Sequence, residues 1–313
     1  MIYLVFAPVC FISMLVYIQV ADRFNIIDHP NERSSHSRVT IRGGGVIFLL
    51  AALFIIFFHP AYYLPASGIL LIGIISFLDD IYTLSSLTRL LFHVAAVTIM
   101  FLYLAVFSTQ PVYVALMLYI ITIGVINMYN FMDGINGITG AYSLVVLGGL
   151  QYINLQQVSF IDPDLLWLPI IATLVFLFFN FRAKAKCFAG DVGSVTMALW
   201  IIFLQLSLIF QTHNWVYILF LVVYGIDSVL TIAQRVYLRQ NILTAHRLHF
   251  YQLLANEKKV SHLVVSLGYA LIQGFVIVAI IAFPQIAAAN FFIFTIVPLV
   301  VVYVLVKPGL MRM

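Results

Sequence analysis

All fifteen lysines and arginines of this 313-residue chain fall in alternate gaps between apolar runs. The runs lie near 2–21, 44–58, 62–78, 90–108, 111–129, 138–153, 164–180, 192–211, 215–233, 263–283 and 290–306, and each approaches the roughly 20 residues a helix needs to cross a bilayer. With 64% hydrophobic and only 8% charged residues, too little polar surface remains for a water-soluble fold. The expected architecture is all-α: about eleven transmembrane helices in a single integral membrane domain, 1–313.

The cations set the expected orientation. Arg23, Arg33, Arg38 and Arg42 follow the first run, and Arg89 follows the third. Arg182, Lys184 and Lys186 follow the seventh. Arg235, Arg239, Arg247, Lys258 and Lys259 follow the ninth, and Lys307 and Arg312 the last. The other gaps hold only His59, His213, Asp162 and Asp164. By the positive-inside rule the basic side is cytoplasmic, which puts the N-terminus outside and the C-terminus inside. The net charge of +4 follows from this bias and calls for no nucleic acid. Met1 leads straight into apolar sequence without a basic n-region or cleavage site, so the first run reads as a retained helix. Cys10 and Cys187 provide no disulfide framework.

Carboxylates gather on the same side. Asp22, Asp28, Glu32, Asp79, Asp80, Asp133, Asp191 and Glu257 lie in or beside basic-side segments. A transporter places ionisable groups near mid-membrane along a substrate path. Gathering them at one face favours an enzyme working at the membrane surface, with a transporter of nucleotide-sugars or lipid-linked sugars as the alternative.

Five segments carry the candidate chemistry. PNERSSHSRVTIRGGG (30–45) ends in Gly43–Gly45, which reads as an anion cradle at a helix N-terminus or as a solvated loop with a flexible helix start. FLDD places Asp79 and Asp80 at a helix C-terminus, against the macrodipole, so Arg89, a divalent cation or both must offset them; a surface acidic turn is the plainer reading. In NMYNFMDGING, Asn127 and Asn130 share a helix face, Asp133–Gly134 and Asn136–Gly137 mark turns, and amides inside a membrane helix are costly unless used. In FAGDVGS, Asp191 is either a metal ligand or an N-cap. In HRLHFYQ, His246 and His249 flank Arg247, as a nucleotide contact or as part of a structural helix. Carboxylates from separate helix ends with a basic loop point to Mg²⁺ and phosphate chemistry, because Mg²⁺ takes few protein carboxylates and completes its shell with phosphates and water.

In this order the five segments resemble the polyprenyl-phosphate N-acetylhexosamine-1-phosphate transferases, a family that includes the lipid I-forming translocase. The resemblance implies transfer of a sugar-1-phosphate from a UDP-N-acetylhexosamine to undecaprenyl phosphate, with release of UMP. It also implies dependence on Mg²⁺ (Mn²⁺ as a substitute), a multi-pass location in the bacterial inner membrane with a cytoplasmic active site, and a homodimer. Asp79 and Asp80 match the family's aspartate pair, one of them the base or nucleophile, with Asp80 also a metal ligand. Asp191 matches its metal ligand. His249 matches a catalytic position in the His-rich loop, with Arg247 and His246 as substrate contacts. Arg42, Asn130, Asp133 and Asn136 match substrate-binding positions. Asp227 matches an acid often found in that membrane helix and is expected to find water or a partner such as Arg235. The chain departs from the pattern at Asn136, where many relatives carry a second aspartate, at Phe250–Gln252, where histidines usually continue, and at Val39 and Ile41, where prolines are common. The HRLHFYQ variant resembles the branch that begins O-antigen synthesis.

Overall fold

The computed structural model describes residues 2–28, 39–241 and 247–311. Its helices are α1 (Ile2–Arg23), α2 (Val46–Phe58), α3 (Tyr63–Tyr82), α4 (Ser86–Tyr103), the single turn α5 (Val106–Thr109), α6 (Val112–Met132), α7 (Ile138–Gln156), α8 (Asp164–Asn180) and α9 (Gly190–Thr212). A tight turn of 3₁₀ helix, Trp215–Leu221, leads into α10 (Val222–Tyr237). They are followed by the short turn α11 (Phe250–Gln252), then α12 (His262–Ala282) and α13 (Ala288–Met311). The all-α expectation holds apart from a two-residue antiparallel ladder in the first polar segment, β1 (Ile27–Asp28) with β2 (Thr40–Ile41), in which Ile27 faces Ile41.

Among the described residues, nine helical segments are long and apolar enough to cross a membrane, and two shorter apolar helices, Val46–Phe58 and Asp164–Asn180, occupy the remaining expected positions. One boundary differs from the sequence reading. The run at 90–108 is not continuous helix: α4 starts earlier, on the Ser85 cap that accepts the Thr88 N–H, and ends at Tyr103, where left-handed Ala105 (φ 54°) breaks it before α5.

Burial follows composition. α9 is apolar on every side, as a core helix must be, and 94% of its most apolar window is buried. It packs against α2, α3, α6 and α7. At the other extreme α13 buries only Phe291, Tyr303, Lys307 and Leu310, so most of its Ile, Val and Phe face the surroundings, as expected where lipid is the solvent.

Helix direction alternates, so two ends of the bundle collect different loops. One end joins the start of α2 and the ends of α3 and α6 to the start of α9. The other joins His59, after α2, to Asp162 and Asp164, before and at the start of α8. There His59 Nδ1 lies 3.3 Å from Asp162, Nε2 lies 2.7 Å from Asp164, and the Tyr3 phenol of α1 also donates to Asp164.

Candidate active site

The site is built on the N-terminus of α9. Ala189 occupies the N-cap position without a side-chain cap, leaving N–H donors that need partners. Asp80, from the end of α3, supplies them. Its Oδ1 accepts the Asp191 N–H at 3.0 Å and its Oδ2 accepts the Val192 N–H at 3.1 Å. This resolves the electrostatic conflict in FLDD: the carboxylate at the unfavourable end of α3 sits at the favourable end of α9. Arg42 Nε completes the set at 2.7 Å from Asp80, whose side chain is fully enclosed. The capping role considered for Asp191 therefore belongs to Asp80.

Asp191 is thereby freed to face the cavity. Its Oδ1 accepts from Asn130 Nδ2 at 3.0 Å and lies 3.4 Å from Arg42 Nη2, while Oδ2 has Arg89 Nη1 at 4.0 Å. Asn130 comes from the last turn of α6. Asn127, one turn earlier, does not join it: its amide donates to the Ile123 carbonyl on the exposed side of the helix. Asp79 points away from Asp80. It takes the Leu84 N–H on one oxygen and lies 3.3 Å from Arg89 with the other. Asp80 and Asp191 hold Arg42 firmly cationic, their field outweighing the burial that opposes its charge.

The glycines before α2 act differently from the cradle reading. Gly44 and Gly45 give their N–H groups to the carbonyls of Phe188 and Ala189. A Cβ on Gly45 would lie 2.0 Å from Gly193 Cα. These glycines allow the entry to α2 to lie against the entry to α9, which brings Arg42 to Asp191.

A cavity of about 210 Å³ opens beside these groups, lined by Asp28, Arg42, Asn130, Asp133, Gly134, Ile135, Asn136, Asn180, Phe188, Gly190, Asp191, Gln252 and His262. Asp133 caps the end of α6 and accepts the Thr139 hydroxyl at 2.6 Å. Part of its side chain meets the cavity, yet surrounding protein desolvates it and pushes it up to about 7, more than the Thr139 bond lowers it. Asn136 is a bolt: its amide donates to the Arg182 carbonyl at 2.8 Å, its N–H meets His262 Nδ1 at 3.4 Å, and its carbonyl accepts the Ser266 hydroxyl at 2.8 Å.

Two cavity residues escaped the sequence reading. Asn180 accepts the Gly137 N–H at 2.7 Å and donates to the Cys187 carbonyl at 2.8 Å, tying three segments together. An asparagine ending an apolar run was its signal, the same signal that marked Asn130. His262, the first residue of α12, is separated from HRLHFYQ by the mixed stretch LLANEKKVS, and nothing local distinguishes it.

The described residues of the HRLHFYQ segment, Gln252 excepted, stand apart from the cavity. His249 is 2% exposed, its ring between Phe131 and Tyr251 and its Nδ1 3.4 Å from Asp227 Oδ1. Arg247 is half-buried. Neither lines the cavity, whereas Gln252 does. His246 lies outside the described residues, as do Arg33 and Arg38.

Fold and site define an all-helical, multi-pass membrane protein whose helix ends build an ionic pocket at one end of the bundle. The glycosyl transferase family 4 model matches residues 62–209. The chain is 23% identical over 256 residues to a probable undecaprenyl-phosphate N-acetylglucosaminyl 1-phosphate transferase of Bacillus subtilis (strain 168), covering 75% of this chain and 71% of that one. It is 27% identical over 173 residues to a phospho-N-acetylmuramoyl-pentapeptide-transferase of Dictyoglomus turgidum, covering 49% and 55%. A decaprenyl-phosphate N-acetylglucosaminephosphotransferase of Mycobacterium leprae is 26% identical over 215 residues, covering 58% and 54%. The chain thus spans only about half the length of the latter two. The stretch matched by the family model is a little under half of this chain and holds Asp79, Asp80, Asn130, Asp133 and Asp191.

Proposed function

We propose that this protein transfers an N-acetylhexosamine-1-phosphate from a UDP-sugar to undecaprenyl phosphate, giving a lipid diphosphate-sugar and UMP. The reaction would take place at the cytoplasmic face of a bacterial inner membrane, and the product would begin an envelope polysaccharide such as O-antigen. The observation that carries this reading is the convergence of Arg42, Asn130 and Asp191, from three separate chain segments, on one cavity, with Asp80 of a fourth segment holding Arg42 from behind. The relatives' names support a polyprenyl-phosphate acceptor and an N-acetylglucosamine phosphate as the group transferred.

The donor set suits a divalent cation such as Mg²⁺ or Mn²⁺. Asp191 keeps an oxygen whose nearest cation is Arg89 at 4.0 Å, and Asn130 fixes the carboxylate's orientation. Asp80 suits it less, since both its oxygens are already engaged by N–H donors and Arg42. Bound at Asp191, the ion would offset the negative charge of the donor's diphosphate.

Arg42, held by two carboxylates yet 34% exposed, would contact the diphosphate and stabilise charge developing on it. An oxygen of the lipid phosphate attacks the sugar-bearing phosphorus. That phosphorus forms the new P–O bond as its bond to the bridging oxygen breaks, and UMP leaves with the electron pair. Asp79 and Asp80 are both engaged, Asp79 by the Leu84 N–H and Arg89 and Asp80 as a cap, so the lipid phosphate would attack in its ionised form without help from either. A second cavity, of about 620 Å³, fits the acceptor's chain. It is apolar, lies between α6 and α10 with Phe292, Ile296 and Val300 of α13, and includes Phe131, two residues from Asp133.

The topology proposed with this function has eleven crossings, N-terminus outside and C-terminus inside. The decisive experiment supplies the purified protein with undecaprenyl phosphate, Mg²⁺ and a panel of UDP-N-acetylhexosamines. UMP release dependent on the lipid is expected for one of them, and its absence across the panel overturns the reading.

A further inference from the structure

Behind the pocket, on α10, a buried carboxylate collects an unusual number of donors. Asp227 is 2% exposed. Its Oδ1 accepts the Phe250 N–H at 2.8 Å and the Thr231 hydroxyl at 3.2 Å, and His249 Nδ1 lies 3.4 Å away. Its Oδ2 accepts the Tyr269 phenol at 2.7 Å and the Tyr251 N–H at 3.3 Å. Thr231 is in turn held by Tyr303 at 2.6 Å and by the Lys307 ammonium at 3.1 Å. The expected partner Arg235 turns away to Gln240 and Asn241.

An ionised carboxylate is this costly to bury only where its donors serve a purpose. Two of the donors are the first backbone N–H groups of α11, which no carbonyl within that turn can satisfy. Asp227 therefore pins the start of the His249–Gln252 turn to α10. From there the turn reaches the pocket in two ways. The Tyr251 phenol donates to the Phe131 carbonyl at 2.9 Å and sits where a Cβ on Gly134 would meet it at 2.2 Å, against the Asp133 turn. Gln252, which accepts the His249 N–H at 3.3 Å, forms part of the cavity wall.

We infer that Asp227 is a positioning residue for the donor site: it holds the His249–Gln252 turn against the Asp133 turn, so that the wall facing the UDP-sugar is preformed. The inference rests on the function proposed above. It concerns chiefly the donor, because Gln252 and the Asp133 turn line the polar cavity, whereas the turn meets the apolar groove at Phe131.

The test is Asp227→Asn, which keeps the shape but replaces one acceptor oxygen with an amide that cannot accept an N–H. The expected result is a rise of about tenfold in KM for the UDP-sugar, with KM for undecaprenyl phosphate changed by less than about twofold. A merely structural lesion would lower the active fraction and leave both KM values alone. Hydrogen exchange at the Phe250 and Tyr251 amides should also accelerate while α3 and α9 stay protected. This second readout needs no activity, so it still decides the positioning role if no UDP-sugar is turned over. Should Asp227→Asn fail to fold, Tyr269→Phe removes one donor and leaves both backbone tethers, and the same two changes are expected at smaller size. Unchanged exchange at 250 and 251, or equal rises in both KM values, would overturn the inference.

Discussion

Asp80 and Asp191 meet at one helix start, yet their surroundings give them different work. Asp80 is enclosed and neutralised by two N–H groups and Arg42; Asp191 faces the cavity. Removing one partner of a buried ion pair costs about 3–5 kcal/mol, and Arg42's partial exposure reduces that here. Asp80→Asn should therefore lower the thermal midpoint in detergent as well as UMP release. Asp191→Asn should lower UMP release by at least about a hundredfold and leave the midpoint near wild type. Differential scanning fluorimetry beside the UMP assay separates the two. Asp133 adds a pH dependence. Its carboxyl is raised from 3.8 to about 7 by burial, so the unfolded chain ionises first as pH rises. The stability it contributes is complete below pH 3.8 and is lost as pH climbs to about 7. In metal-free buffer the thermal midpoint should fall across that window, and Asp133→Asn should flatten the fall. At this scale the sequence named the acids, since carboxylates at the ends of apolar runs stand out. It could not divide their roles, because the Asp80 carboxylate caps a helix by a bond to a residue 111 positions further along the chain.

Among the elements, the crossing of α2 and α9 decides whether those acids meet. Three consecutive glycines were legible as a special backbone, and their purpose was not, because a close approach depends on what lies opposite. The neighbour is Gly193, itself part of the FAGDVGS segment, so two motifs read separately are halves of one contact. Gly45→Ala would drive a Cβ to 2.0 Å from Gly193 Cα and 2.9 Å from the Ala189 carbonyl. Both obstacles are backbone, so the helices must part and carry Arg42 away from Asp191. Loss of most UMP release and a lowered thermal midpoint are expected. Gly148→Ala, within α7 with nothing inside 4 Å of the new methyl, is the control. It should be neutral or stabilise by up to about 1 kcal/mol, as Ala is the better helix former. The α4–α5 break shows the opposite limit. An apolar run reports burial in lipid, and nothing in its composition marks Ala105 as a left-handed stop.

The whole molecule has two unlike ends, and the loop charges foretold which segments share each. Arg42, Arg89, Asp133, Arg182 and Asp191 come from four gaps on the basic side and lie together, while His59, Asp162 and Asp164 of the other set meet at the far end. One helix more or fewer crossing between these gaps would have mixed the two groups, so the parity of the crossings is what the geometry supports. Which end faces the cytoplasm is set by the lysines and arginines, and that can be read with single cysteines. Both native cysteines are buried, which keeps the background of labelling low. Lys259 lies on the basic side, while Gln157 and His213 lie on the other; all three are exposed. In intact cells a membrane-impermeant maleimide should label Gln157→Cys and His213→Cys and spare Lys259→Cys, which should react only after the membrane is opened. The reverse pattern would turn the pocket outward, where no UDP-sugar is available, and the proposed reaction would lose its donor.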